Sequence, residues 1–175
     1  MTHPLAREIF TLFRACSEPV YAVLQDLPLD QLNWKPAPDS RSIGEICRHL
    51  IRVDNWFLNH FGIEPVVDDP GATGASVILQ TMQKAHQHIE TVLKQCREPD
   101  DLLRSTAAEE LQGHNTLAEA IVHMAQHYLY HLAQIVYLRR AQDRSWPAPL
   151  QQWEAATYVI SDQLAAIQQL KQQSQ

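Results

Sequence analysis

Apolar residues recur at the three- and four-residue intervals of an amphipathic helix in five separate stretches of the chain. These stretches are residues 4–26, 42–61, 75–97, 116–140 and 150–171. No stretch alternates apolar and polar positions over the length of a β-strand. The pattern therefore predicts an all-α fold in which the helices pack near-antiparallel.

Two of the predicted helices begin with a capping box, in which a hydroxyl and a carboxylate each bind a backbone N–H at the helix start. The boxes are Ser42-Ile-Gly-Glu45 and Thr116-Leu-Ala-Glu119. Pro19 lies inside the first helical stretch, where a proline is expected to kink or loosen a helix.

The segments between the helices are rich in proline, glycine and polar residues, which predicts loops. Trp34 lies in the loop that precedes the first capping box. We expect such a large aromatic side chain to cover the core or to line a pocket. The polar connection 98–115 predicts only a short turn at 107–111.

Composition and charge narrow the class of protein. A length of 175 residues predicts one domain, 1–175, and the charge balance of 14 − 20 = −6 comes without a basic cluster, which disfavours nucleic acid as a partner. We find no signal-peptide core and no apolar run of membrane-spanning length. Cys16, Cys47 and Cys96 form no C-x-x-C pair, which fits a reducing compartment. These features predict a cytoplasmic protein without a membrane partner.

Three histidines spaced by four residues stand in the predicted helix 116–140: His123, His127 and His131. The outer two are separated by about 12 Å of helical rise, whereas a Zn–N bond is about 2.0–2.1 Å long. A helical wheel places His131 and His127 roughly 60° and 100° from the apolar stripe, and His123 roughly 140° from it. We therefore expect His127 and His131 to share an ion and His123 to face solvent.

A catalytic metal usually has three protein ligands, so a third is required. His49 is the best candidate, because it lies in the helical row Ile46, His49, Val53 and Trp56, which has the spacing of a buried face. The alternative for each of these histidines is a core imidazole satisfied by hydrogen bonds. The other histidines are interpreted as solvated surface residues: His3, His60, His86, His88 and His114.

Two other kinds of site are disfavoured. A ferritin-like di-iron centre needs Glu-x-x-His on two helices, but this chain has Glu-x-x-x-His, with both glutamates assigned to capping boxes. A serine-hydrolase site of the α/β type would need a G-x-S-x-G motif, which does not occur.

Two motifs resemble the signatures of the DinB/YfiT-like proteins. LNWKPAPDSRSIGEICRHLIRVDNW, residues 32–56, is similar to a W-x-P loop followed by a Ser-Ile-Gly-Glu helix start and a metal-binding histidine. HMAQHYLYHLAQI, residues 123–135, is similar to the second signature, H-x-x-x-H-x-x-Q. The chain departs from many relatives by having His131-Leu-Ala-Gln134 in place of His-Arg-Gly-Gln.

This resemblance implies a four-helix bundle of up-down-down-up topology, here with an additional C-terminal helix, that often forms a homodimer. It implies one divalent transition metal held by His49, His127 and His131, with zinc or nickel preferred and iron as a further option. Asp54 falls where relatives often carry an acid, and Trp34 and Gln134 are expected near the pocket.

Some relatives transfer a low-molecular-weight thiol to an electrophile, and others are thiol-dependent isomerases. The resemblance therefore implies a metal-dependent thiol transferase whose partners are a small-molecule thiol and an electrophile. Two alternatives stay open: a non-catalytic bundle with a structural or regulatory metal, and a metal-dependent hydrolase. The hydrolase would need a general base near the ion, for which Asp54 is the one weak candidate.

Overall fold

The computed structural model describes residues 1–65, 71, 74–106, 115–148 and 150–174, the last range without the side chains of 150–158. The predicted turn at 107–111 and His114 lie outside these residues.

The described residues form seven α-helices joined by short connections. They are α1 (Pro4–Leu24), α2 (Leu29–Asn33), α3 (Ile43–His60), α4 (Ala75–Gln95), α5 (Pro99–Leu103), α6 (Leu117–Gln142) and α7 (Leu150–Gln173). In place of strands, these ranges contain a single isolated β-bridge, between Ser105 and Thr116. The prediction of an all-α fold is confirmed.

Two short helices were not predicted. Both α2 and α5 are five residues long, which is too short for an amphipathic period to be visible. At the start of α5, the Asp101 carboxylate nevertheless accepts a hydrogen bond from the Glu98 N–H at 3.0 Å, so the acidic residues there were a local signal of a helix start. These helices replace parts of the predicted loops with single turns that pack beside the bundle.

Both predicted capping boxes are present. The Ser42 hydroxyl accepts a hydrogen bond from the Glu45 N–H at 3.2 Å, and the Glu45 carboxylate accepts one from the Ser42 N–H at 2.8 Å. Thr116 and Glu119 form the same reciprocal pair. Because a good N-cap is worth about 1 kcal/mol, these boxes fix where α3 and α6 begin.

The core lies where α1 and α6 pack together. α4 and α7 also pack against α1, and α3 packs against α4 and α6. α1 continues through Pro19, which is buried. Phe13 of α1 and Tyr128 of α6 are fully buried and meet edge to face, with ring centroids 5.5 Å apart. α3 packs directly against α6, and these are the two helices that carry the candidate ligands.

The C-terminal helix packs onto α1 and α6. Ile160 and Ile167 are buried in that contact. Near its end, the Lys171 ammonium donates to the Glu119 carboxylate at 2.5 Å, which joins α7 to the first turn of α6. Within the described ranges, no helix combines the length and apolar character that crossing a bilayer would require.

Candidate metal centre

Three imidazoles from two helices converge at one end of the α3–α6 contact. His49 projects from α3, while His127 and His131 lie one turn apart on α6. One nitrogen of each ring can be chosen so that all three lie within 4.8 Å of one another. The ring of His49 is 5.1 Å from that of His127 and 5.0 Å from that of His131, measured between centroids. Two separate parts of the sequence thus form one cluster.

The cluster fits a small divalent ion. Bonds of about 2.0–2.1 Å in a tetrahedral arrangement place neighbouring ligand nitrogens about 3.4 Å apart. The Nε2 atoms of His127 and His131 are 2.9 Å apart, so a small opening of this pair would bring it to that spacing. Three neutral imidazoles leave at least one coordination position for a substrate, which is the pattern of catalytic rather than structural sites.

Gln134 orients one of the three candidate ligands. Its side-chain oxygen, Oε1, lies 2.8 Å from Nδ1 of His131. Because a carbonyl oxygen can only accept a hydrogen bond, Nδ1 carries the proton and Nε2 is left with its lone pair directed into the cluster. Such contacts behind a ligand fix its tautomer and ring orientation in metal sites. Gln134 is thus in direct contact with a candidate ligand.

The surroundings keep the imidazoles neutral. Burial lowers the pKa of His49 to about 4 and that of His127 to about 4, and the neighbouring positive charge of a protonated imidazole adds to the shift. Burial also lowers the pKa of His131, although its hydrogen bond to Gln134 acts in the opposite direction. Since a metal binds only the unprotonated ring, all three are available as ligands at neutral pH.

The histidine cluster opens into a cavity of about 620 Å³. The residues that line it come from α6, from the start of α3 and from the loop before α3: Pro36, Ser40, Arg41, Ile46, His49, His127, Tyr130, His131, Gln134, Tyr137 and Leu138. A cavity of this size accommodates a small organic molecule. It is called the metal cavity below.

Seven residues that line the metal cavity were not predicted as site residues: Pro36, Ser40, Arg41, Ile46, Tyr130, Tyr137 and Leu138. For the two tyrosines a signal was present in the sequence. Tyr130 and Tyr137 lie three and ten residues after His127, on the helical stripe that also carries the second histidine and the glutamine. Ser40 and Arg41 come from a loop, where no periodicity indicates which way a side chain points. Their position could be obtained only from the structure.

His123 lies outside the cluster, as the wheel predicted, but it does not face solvent. It is half-buried and packs against Phe57, with ring centroids 5.3 Å apart. Trp34 follows the last turn of α2, is 37% exposed and is not among the residues that line the metal cavity. The structure therefore does not bring Trp34 to the cavity wall.

Asp54, the other residue expected near the pocket, lies in the core instead. It is 1% exposed, and the Tyr128 hydroxyl donates to its Oδ2 at 2.7 Å. Because the Tyr128 hydroxyl proton is used in this bond, the Tyr128 oxygen accepts a hydrogen bond from Nε2 of His86 at 2.7 Å. His86 Nδ1 then accepts a hydrogen bond from the hydroxyl of Tyr21. The four side chains form a buried chain from α1 to α3, called the Asp54 network below.

The interpretation of His86 as a surface residue is wrong, since it is only 5% exposed. It stands four residues after Met82 and three before Ile89, both fully buried, so the apolar row of α4 already contained the signal. Burial raises the pKa of Asp54, while the nearby imidazole of His86 and the hydrogen bond from Tyr128 act against that shift. Asp54 has its partners in this network and contacts none of the three clustered histidines through these bonds.

Comparison with known proteins agrees with the two motifs. A family model described as the DinB superfamily matches residues 12–135, which is more than half of the chain and includes all three clustered histidines. Searches of curated proteins and of solved structures found no match. The match includes the loop before α3 and the H-x-x-x-H-x-x-Q run of α6. The chain therefore belongs to the DinB superfamily.

Proposed function

We propose that this protein is a metal-dependent transferase that adds a low-molecular-weight thiol to an electrophile. The observation that carries the proposal is the set of three neutral imidazoles in the wall of an open cavity. When bound, a divalent ion supplies the positive charge that favours the thiolate form of a thiol. In the reaction, the thiol releases its proton to solvent, its sulfur bonds to the electrophilic carbon, and the leaving group departs with its electron pair.

The residues of the cavity position the candidate ligands and the two reactants, and they do not act as acids or bases. Gln134 holds the ring of His131 in one tautomer, so that its free nitrogen faces the cavity. The cavity of about 620 Å³ has room for a thiol beside a second small molecule, and Tyr130 and Tyr137 offer apolar surface to either. Holding two reactants together in this way is itself a large part of the acceleration in group transfer.

A hydrolase that uses the same ion is less well supported than a thiol transferase. It would need a general base close to the reacting water, and the candidate for that role was Asp54. Asp54 is buried in the core and held by Tyr128. The described residues that line the metal cavity include no carboxylate. We therefore place thiol transfer ahead of hydrolysis.

The test is thiol conjugation by purified untagged protein loaded with zinc, nickel or iron(II). A panel of small thiols is combined with a chromogenic electrophile such as chlorodinitrobenzene, and the uncatalysed rate is subtracted. We expect saturable, metal-dependent conjugation that is lost in His131→Ala and retained in His123→Ala. Equal rates for the metal-loaded and the chelated protein with every thiol would refute the proposal and leave a structural metal as the alternative.

We further propose that the protein is a homodimer, on the basis of the resemblance to its superfamily. Light scattering on the purified protein tests this point independently of the chemistry. A molar mass near twice the 20.0 kDa of one chain is expected. A mass that stays at the single-chain value across a wide concentration range would contradict it.

A further inference from the structure

Arg41 is a cation at the wall of the metal cavity. It lies in the loop just before α3 and next to the helix cap at Ser42. Its side chain is exposed and lines the metal cavity. Among the described residues, its guanidinium has no hydrogen-bond or ion-pair partner. By contrast, Arg14 is paired with Glu18, and Arg139 donates to Gln31.

Among the described residues, the lining of the metal cavity carries one positive charge, that of Arg41, and no negative charge. Its described lining contains no aspartate or glutamate, and the three candidate ligands are neutral imidazoles. A divalent ion held by these imidazoles would keep its full charge, and Arg41 adds one more positive charge. The net charge of the whole protein is −6, so the positive charge of the cavity does not follow from overall composition. Attraction between opposite charges favours a ligand that brings negative charge.

Arg41 and the three candidate ligands line the same cavity. A single anionic ligand can therefore lie near the guanidinium and the ion site together. The planar guanidinium also matches a carboxylate, which it can bind through two parallel hydrogen bonds.

The remaining surface of the metal cavity is aromatic and apolar. Tyr130 and Tyr137 are 62% and 69% exposed, and they stand two turns apart on the same side of α6. Tyr130 also packs edge to face on His131, with ring centroids 5.0 Å apart. Ile46 and Leu138 add aliphatic surface. This wall suits the carbon skeleton of a small organic molecule rather than an inorganic ion.

We propose that Arg41 is the anion-binding residue of the metal cavity and that one substrate is an organic carboxylate with an apolar or aromatic body. Its carboxylate pairs with the guanidinium, and its body lies along Tyr130 and Tyr137. The proposal names a substrate class for the proposed transferase, and in that sense rests on it. Binding of a carboxylate, however, can be measured without any thiol chemistry.

The test uses calorimetric titration of the zinc-loaded protein with phenylpropanoate, and with its neutral amide as the matched probe. We expect the carboxylate to bind and the amide to bind much more weakly. Arg41→Gln should weaken binding of the carboxylate by roughly 10- to 100-fold, the range for a lost hydrogen-bonded ion pair. Arg41→Lys should restore part of the loss. Arg7→Gln, which removes an arginine that lines a different groove, serves as the control and should bind like wild type.

A titration of the chelated protein separates Arg41 from the ion as the site of binding. Weaker binding that still depends on Arg41 supports the proposal. Carboxylate binding that disappears with the ion but is unchanged in Arg41→Gln would overturn it, because the carboxylate would then be a metal ligand only. Equal binding of carboxylate and amide, or no binding of either, would also overturn it. Failure of the conjugation assay alone would instead refute the transferase proposal and leave Arg41-dependent binding intact.

Discussion

Replacing Tyr128 by phenylalanine removes one hydroxyl from the interior of the bundle and keeps the aromatic ring. That hydroxyl donates to Asp54 at 2.7 Å and accepts from His86 at 2.7 Å. Tyr128 is fully buried, so no water can take the place of the lost group without a rearrangement. Burial and the neighbouring carboxylate raise the pKa of Tyr128 well above its ordinary value, so it acts as a hydrogen-bond donor.

The expected loss follows from the type of bond. A hydrogen bond to a charged group contributes about 1.5–3 kcal/mol, and leaving its partner unsatisfied in the core costs a similar amount. His86 remains 3.5 Å from the Asp54 carboxylate and can move closer, which should limit the total. We therefore expect the free energy of unfolding to fall by about 2–3 kcal/mol. For a chain of this size, that lowers the melting temperature by roughly 4–12 °C.

Urea denaturation of the chelated protein, followed by circular dichroism, measures this change without a contribution from bound metal. Tyr137→Phe is the matched control, because Tyr137 lies on the same helix and is 69% exposed. We expect the control to stay within about 0.5 kcal/mol of wild type. A Tyr128→Phe protein as stable as the control would refute the view that the Asp54 network stabilises the core. Its metal content should match that of wild type, since Tyr128 is not among the clustered ligands.

Three further predictions concern the ligand cluster. Gln134→Ala removes the acceptor of the His131 Nδ1–H and should weaken zinc binding about 10- to 100-fold in a competition titration, whereas Gln134→Glu keeps an acceptor and should retain affinity. His123→Ala should retain bound zinc in elemental analysis and His49→Ala should lose it; the reverse result would assign the wrong third ligand. In the metal-free fold the pKa of His49 and of His127 is about 4, whereas a histidine of the unfolded chain has a pKa of about 6.5. Between these two pH values the unfolded chain binds more protons than the fold. The free energy of unfolding should therefore fall as pH drops through that window. The fall should be smaller in His49→Ala, and equal pH profiles would contradict the lowered pKa.

The sequence predicted the long helices because each of them repeats its signal over many turns. α1, α3, α4, α6 and α7 combine an apolar stripe with a cap or with a proline-rich boundary. α2 and α5 were missed because one turn of helix carries no period. For α3 and α6, the capping boxes fixed the first residue as well.

The candidate site was predictable to the extent that helix geometry constrains it. The spacing of His127 and His131 places both on one side of α6 whatever the rest of the fold does. His49 followed from its place in a buried row of α3. Arg41 did not follow, because a loop side chain has no periodic position, and the structure alone brings it into the metal cavity.

The Asp54 network shows what a single sequence leaves undetermined. Its members lie on four different helices, and Asp54 is 74 residues away from Tyr128, its hydrogen-bond donor. Periodicity indicates that a polar residue is buried, but it does not identify the partner that makes burial tolerable. The family resemblance led to Asp54 being expected near the metal, and His86 was expected at the surface, whereas the two meet inside the core.

Elemental analysis of protein purified without a histidine tag tests the central claim most directly. If His49, His127 and His131 form a metal centre, wild type should carry a single divalent ion per chain at pH about 7 to 8. The variant with all three histidines replaced by alanine should carry none and still unfold cooperatively. Wild-type protein that takes up no zinc, nickel or iron, or a triple variant that holds as much metal as wild type, would contradict the account.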